Sequence, residues 1–433
     1  MSKFALLFLL LFFGGLIGAF FASPVFAVML YQLVYFMNPE LRWWGASIPD
    51  ISYSFITVIV MIVTLLFSYQ RLSNFTSWRK QPAFKWILLL LAMYYIVGIF
   101  ALVPDVHSIF TFNFLKLIVI IFVVYKIVDR SLYFDYVLWA YIIGASYIGY
   151  YAGFVGRDGS GRVEGIGMID TGGDANMTAA ALVPAIIMIL YYVWLGSYKV
   201  RLLCVVCAAF LVNGLVLINS RGAFVGCVVG ATLFLGYMIF SGQQRKGQRA
   251  TAIAVIVFGL IGAFSLTDQS FWERMGTLQE VEDGDASGSH RIDFWLATFD
   301  VMRDFPMGVG INGFEAVSRF YLPAHYFERG SAKAVHSTWF QLLAEAGWLG
   351  LIFFCCLLRC LYIQLKNAKK YLLSVKFTNQ YFHVLVLESA FLGYLCAASF
   401  INRIRAESLW WCILFLMIAV NIYYINRDKS NEH

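Results

Sequence analysis

Three side chains stand at the edges of apolar runs, where this chain otherwise carries little charge: Arg221 in "INSRGAF", Arg291 in "SHRIDFW" and His336 in "HSTWFQLLAEAGWLG". An arginine presents a planar fork of donors that grips a phosphate group through paired bonds. A histidine titrates near neutrality and can remove a proton from a hydroxyl. Two arginines and one histidine on a common face would suit a sugar held through a diphosphate. The arginines would stabilise the charge that grows as the glycosidic bond breaks, and the histidine would activate the acceptor hydroxyl. Diphosphate leaves readily, so a separate general acid is dispensable. No D-x-D-like carboxylate pair sits at a helix end to hold a metal, and arginine can supply the metal's charge. Each residue alone has a plainer reading. Arg221 could snorkel among lipid headgroups, and a single histidine is more often structural. The combination points to phosphate-linked chemistry.

The elements that position these residues are membrane helices. Hydrophobic residues make up 61% of the 433 and charged residues 13%, about half the charged share of a soluble domain. Apolar runs lie near 4–37, 51–69, 86–103, 110–125, 133–153, 177–195, 202–218, 223–240, 250–266, 338–362, 382–400 and 408–425. A run of about 17–25 such residues crosses a ~30 Å hydrocarbon core. The expected fold is therefore an all-α polytopic membrane protein with about 12 transmembrane helices. Residues 4–37 are too long for one crossing and are interrupted at Pro24, which predicts two short helices or one kinked helix. "FFASPVFA" (20–27) resembles the end of a signal peptide, but the apolar segment after it reads as part of the fold.

Charge orients the bundle. Arg71, Arg79, Lys80 and Lys85 share one short loop, Arg245, Lys246 and Arg249 a second, and Lys366, Lys369, Lys370 and Lys376 a third. Positive loops stay cytoplasmic, so the long segment 267–337 is expected to face outward. It holds 11 acids against 6 bases, near −5, which leaves the rest of the chain near +12. The whole-chain net charge of +7 is thus a topology signal and gives no reason to expect a nucleic-acid partner. The chain divides into membrane helices one to about nine (1–266), an outer catalytic loop (267–337), and C-terminal membrane helices with a short cytoplasmic tail (338–433). All eight cysteines fall in apolar runs, so no disulfide framework is implied. Cys204 and Cys207 form a C-x-x-C in mid-helix, where small packing residues are expected.

Two outward loops are large enough to carry chemistry. Residues 154–176 are rich in glycine and polar residues, as a mobile or substrate-lining loop would be. Asp174 and Asn176 close it, as ligands for sugar hydroxyls or as helix caps. In the second loop, residues 280–289 are acidic and apolar-poor, without the oxygen spacing or terminal glutamate of a calcium loop. Ile292, Trp295, Phe299 and Met302 recur at three- and four-residue steps, which predicts an amphipathic helix stopped by Pro306, its aromatic face among headgroups at the outer membrane surface or packed on the bundle. "GVGING" (308–313) fits G-x-G-x-x-G, but no strand precedes it, and a turn between two loop helices is expected. His336 or Ser337 can cap the next helix, and Phe340, Leu343, Gly347 and Gly350 continue the histidine's face, with glycines that allow close packing. Glu345 lies about half a turn away, as a buried polar group or the partner of a base elsewhere. Arg403 and Arg405, beside Glu407, could meet an anionic acceptor or form a local ion pair.

The stretches "NSRG" (219–222), "SHRIDFW" (289–295), "FPMGVGINGF" (305–314) and "HSTWFQLLAEAGWLG" (336–350) resemble the O-antigen ligase and polymerase superfamily. The last matches the pattern H-[NS]-x-x-[LF]-x-x-L-x-E-x-G-x-x-G at every position. "YFMNPELRWWG" (35–45) and "GGDANMTAAALVPAI" (172–186) resemble the O-glycosylation ligases associated with exosortase systems, so the likeness extends over roughly 30–365. The resemblance implies a GT-C-like glycosyltransferase architecture in the bacterial inner membrane, with a periplasmic active site and no cofactor. It implies an undecaprenyl-diphosphate-linked glycan as donor and metal-independent transfer with inversion, to a sugar hydroxyl of lipid A–core. Arg221 and Arg291 are then the diphosphate ligands and His336 the base. His290, Asp174, Asn176, Arg403 and Arg405 are further substrate-binding candidates. A polymerase and a protein O-oligosaccharyltransferase would share this site and differ in acceptor. A transporter of the lipid-linked sugar would favour mid-membrane charges and inverted repeats; only Glu388 and His383 fit the first, and no repeat is visible.

Overall fold

The computed structural model describes residues 2–159, 161–245, 247–267, 269–276, 289–327 and 332–426. Lys246 and nearly all of the acidic stretch 280–289, with its calcium-loop question, lie outside these residues. Within them every regular element is helical. The first ten helices are α1 (Lys3–Phe21), α2 (Val25–Met37), α3 (Tyr53–Ser73), α4 (Ala83–Val97), α5 (Pro104–Ile127), α6 (Ser131–Val155), α7 (Ala175–Leu195), α8 (Tyr198–Ile218), α9 (Arg221–Phe240) and α10 (Gln248–Leu266). Then come α11 (Gln269–Gly276), α12 (Ser289–Asp304), α13 (Gly313–Tyr321), α14 (Thr338–Ser374), α15 (Thr378–Ala398) and α16 (Glu407–Val420). Among the described residues, eleven helices are long and apolar enough to cross a membrane, with α2 and α4 as shorter apolar helices. The protein is a polytopic helical membrane protein.

The long first run resolves into a helical hairpin. Pro24 lacks the N–H that would continue α1, and α2 folds back so that Leu30 and Phe26 pack closely on Gly15 and Gly18. Phe8 and Phe12 of α1 pack with Trp44 and Tyr53, so the N-terminal run is part of the core.

The three basic loops gather at one end of the bundle. Arg245 donates to Asn379, and Gln364 Nε2 donates to Gln81 Oε1 at 2.7 Å, across separate loops. The two ionisable exceptions in α15 are partnered: Glu388 with Lys369 of α14, and His383 with Tyr423 at 2.8 Å. Cys204 and Cys207 are buried and unbridged, as packing residues are. Helices α9 and α15 approach at Gly226 and Gly393, where a Cβ on either would lie 2.5 or 2.7 Å from the other's carbonyl oxygen. Small residues permit this contact without lipid between the backbones. The contact ties the helix that begins at Arg221 to the helix that leads into residues 399–406.

At the opposite end, which bears α11–α13, the first outer loop is packed down. Val163, Ile166 and Met168 are buried, and Val163 N–H donates to Leu217 O at 3.1 Å. The Arg42 guanidinium donates to the carbonyls of Phe36, Ile166 and Gly167 and sits 4.4 Å over the Tyr151 ring. The stretches 35–45 and 154–174 thus form one unit, and glycine content here reflects tight turns rather than a mobile strap.

Helix α14 spans 37 residues, roughly 55 Å at 1.5 Å per residue. It is broken at Gly347, whose φ of 65° and ψ of −168° are not helical. The expected smooth glycine face is therefore a notch, and the segment after α12 fills it. Val309 N–H donates to Ala344 O at 2.8 Å and Gly310 N–H to Glu345 O at 3.1 Å, carbonyls that the break sets free. A Cβ on Gly347 would meet Pro306 O at 2.6 Å. The "GVGING" turn is a plug for a helix break.

Of the two placements open to α12, the bundle takes a face rotated from the Ile292, Trp295, Phe299 and Met302 stripe. Phe294, Ala297, Val301 and Met302 are buried, whereas Ile292, Leu296 and Phe299 are exposed by 50%, 57% and 42%. The buried stripe is rotated because Thr298, whose hydroxyl donates to Phe294 O at 2.9 Å, occupies an inward position that hydropathy alone assigns to solvent. Of the expected face, only Met302 is fully inward, with Trp295 half-buried.

Candidate active site

Helix α8 ends at Asn219 in a left-handed turn (φ 54°), and α9 begins two residues later at Arg221. Arg221, Gly222 and Ala223, the first turn of α9, line a small cavity of about 80 Å³, and the N-terminus of a helix favours an anion. Arg291, on the first turns of α12, lines the same cavity, and so does Asn176 of α7. Burial first, then the charge of Arg221, lowers the Arg291 pKa from its usual value. Among the described residues no carboxylate pairs with Arg291, so this crowding of cations has room for an anion.

His336 lies beside Arg291. Its backbone takes a left-handed φ of 54°, uncommon for a residue with a side chain, and the chain then turns directly into α14. Trp295 Nε1 donates to Val335 O at 3.1 Å, and the Trp295 ring stacks on Phe340 at 5.4 Å. On the other side Ser337 N–H donates to Asn402 Oδ1 at 3.1 Å and Thr338 Oγ1 to Ile401 O at 2.8 Å. His336 is thus held between α12 and the 399–406 loop. Crowding lowers its pKa below 6.5, with Arg291 and Lys333 adding to that and Asp174 opposing it. The ring keeps solvent access despite these neighbours. A neutral imidazole next to a cationic cavity can accept a proton.

The comparisons bear on this arrangement. Residues 205–355 match the family model described as O-antigen ligase. Residues 205–355 therefore carry an O-antigen ligase domain. No curated protein matches the chain by sequence. The ligase domain spans Arg221, Arg291 and His336 and stops short of Asp174, Asn176, Arg403 and Arg405.

Outside the ligase domain, the other expected residues divide. Asn176 reaches the cavity, with its Oδ1 accepting from Arg162 Nη2 at 3.3 Å. Asp174 caps α7, its Oδ1 accepting from Met177 N–H at 2.8 Å, and its charge reaches His336. His290 stays apart, edge-on against the Tyr326 ring at 4.9 Å. Arg403 and Arg405 form ion pairs, but not with Glu407. Arg403 Nη2 binds Asp170 Oδ2 at 2.8 Å, and Arg405 binds Glu345. Glu407 instead accepts from the Tyr31 hydroxyl. The partner sought for Glu345 is Arg405, joined by Tyr94 Oη at 2.9 Å and Gln341 Nε2 at 2.9 Å. Both arginines are spent on holding the fold, because a buried guanidinium left unpaired is costly.

Sequence reasoning passed over Arg162. It is buried, pairs with Glu164 at 3.3 Å, and lies close enough to Arg221 for their charges to repel. Arg162 lies within the polar loop 154–176 and neither opens nor interrupts an apolar run, so the argument that singled out Arg221 does not reach it. Asp170 was also missed; it collects Tyr35, Arg403 and the Glu407 N–H. Among the described residues, no group of three His, Cys, Asp or Glu side chains could hold a metal ion.

Proposed function

We propose that this chain is a ligase-type glycosyltransferase of the bacterial inner membrane, moving a glycan from undecaprenyl diphosphate to a sugar hydroxyl of lipid A–core at the periplasmic face. The observation that carries this reading is that Arg291, from the loop, lines one cavity with Arg221, at the start of a membrane helix, with His336 beside Arg291. Superfamily members are glycosyltransferase-like ligases and polymerases, and such a cavity suits a diphosphate.

Arg221 and Arg291 grip the diphosphate oxygens with paired donors, and the N–H groups that open α9 add to the positive field. Asn176 completes the wall, with Arg162 bonded to its side chain. His336 removes the proton of the acceptor hydroxyl as its oxygen bonds to the anomeric carbon. The bond from that carbon to the diphosphate breaks, its electron pair stays on undecaprenyl diphosphate, and the proton on His336 passes to water. Attack from the face opposite the leaving group inverts the anomeric centre. The arginines supply the charge that metal-dependent enzymes draw from an ion. The lipid lies between helices beneath the 267–337 loop.

A gel of lipopolysaccharide and of carrier-linked glycan from cells lacking the protein tests this reading. Loss of long-chain lipopolysaccharide, with long glycans accumulating on undecaprenyl diphosphate, is expected. Single repeat units left on the core would identify a polymerase. Unchanged lipopolysaccharide would contradict both and direct attention to glycoproteins.

A further inference from the structure

A second cavity, about 210 Å³, lies among α13, the start of α14 and the 399–406 loop. Val335 lines it, and so does Asn402, whose Oδ1 accepts from Ser337 N–H. Met177 lines it too, and its neighbour Asn176 lines the first cavity. His336 lines neither cavity, but it follows Val335 of this one directly in the chain, and Arg291 of the cationic cavity is near enough to act on its charge.

The chemistry of the second cavity is different. Its one arginine, Arg405, is already bound to Glu345. Gln341 is held from both ends, its Nε2 donating to Glu345 Oε1 at 2.9 Å and its Oε1 accepting from Ile404 N–H at 3.2 Å. Against this fixed wall stand Asn312 and Glu315, on the turn into α13 and its first residues, for whose side chains no described residue serves as hydrogen-bond partner. Phe314, buried, supplies an apolar surface. Burial, then the nearby Glu345 charge, raises the Glu315 pKa. An added phosphate or carboxylate would meet two acidic side chains and no unpaired arginine. Sugar hydroxyls can instead exchange hydrogen bonds with a carboxyl and amides while the ring's C–H face covers Phe314.

We propose that this cavity, bounded by Asn312, Phe314, Glu315 and Asn402, receives the acceptor's terminal sugar and selects one that bears no phosphate or carboxylate. The inference rests on the transfer reading above. It places the acceptor hydroxyl at His336, across from the diphosphate held by Arg221 and Arg291, and assigns donor and acceptor to separate cavities. It also replaces the expectation that Arg403 and Arg405 greet an anionic acceptor.

The test uses the full chain in lipid nanodiscs, with an undecaprenyl-diphosphate-linked oligosaccharide as donor. Two acceptors are compared: a glycolipid ending in a neutral hexose, and the same glycolipid phosphorylated on that hexose. The wild-type protein is expected to use the neutral acceptor at least about tenfold more efficiently, since a like-charge contact of 1.4 kcal/mol already gives that factor. Glu315→Gln should raise the acceptor KM severalfold and leave the donor KM unchanged. Glu315→Lys should improve use of the phosphorylated acceptor relative to the neutral one. Transfer with an acceptor KM unmoved by both substitutions, or a wild-type preference for the phosphorylated acceptor, would overturn the subsite and leave the transfer reading standing. Transfer to neither acceptor would overturn the transfer reading and the subsite with it.

Discussion

Arg291, on a helix of the loop, and Arg221, at the first turn of a membrane helix, line one cavity and repel each other there. Folding brings two cations together only where other contacts hold them, and here α12 is anchored by its buried face and by Trp295. A dianionic ligand would relieve that repulsion, and α12 is held for it by these contacts.

Geometry makes the arginine pair intolerant of lysine. Lysine keeps the charge but offers a point ammonium in place of a planar fork. Arg221→Lys is expected to lower kcat/KM for the carrier-linked donor by about tenfold or more, on the order of 1–3 kcal/mol for a charge-assisted pair. Kinetics with donor and acceptor varied separately would check this, and a defect confined to the acceptor would contradict it.

The pH dependence follows from His336. Crowding, and after it Arg291, holds its pKa below 6.5. The reactive neutral form therefore prevails at pH 7, and kcat/KM should fall only as pH drops through that lowered value. Arg291→Gln removes the second of these causes. In the residual activity of that variant, the acid limb should move to higher pH. A pH–rate profile whose limb stays in place would show that Arg291 does not act on the histidine.

The Arg405–Glu345 pair makes a stability prediction. Its two side chains are exposed by only 16% and 7%. Glu345→Gln leaves a buried guanidinium uncompensated, at a cost of about 3–5 kcal/mol. Thermal unfolding in detergent should show a clear drop in Tm, largely recovered when Glu345→Leu is combined with Arg405→Met. A single variant as stable as the parent would mean the pair is already solvated.

How much of this was legible in the sequence depended on distance along the chain. Apolar runs of the right length gave the crossings, because helix length against bilayer thickness is a local property. Arg221, Arg291 and His336 stood out because each interrupts an apolar run or opens one. The partners of Arg403 and Arg405 did not, since Asp170 and Glu345 lie far away in sequence and only the fold brings them close. The inward face of α12 was not legible, because Thr298 can be buried once its hydroxyl is bonded to the preceding turn. The break at Gly347 was hidden for a related reason. A glycine in a helix signals close approach, but not whether a helix or an extended segment approaches, and here Pro306–Gly310 does.

The most direct measurement is transfer by purified His336→Asn protein, alongside binding of the undecaprenyl-diphosphate-linked donor. Asparagine enters the left-handed backbone at this position readily, so the substitution removes the base while keeping the turn into α14. A loss of at least about a hundredfold in transfer rate, with donor binding retained, is the predicted result. Transfer at close to the wild-type rate would contradict the assignment of His336 as base and, with it, the account of how the two cavities work together.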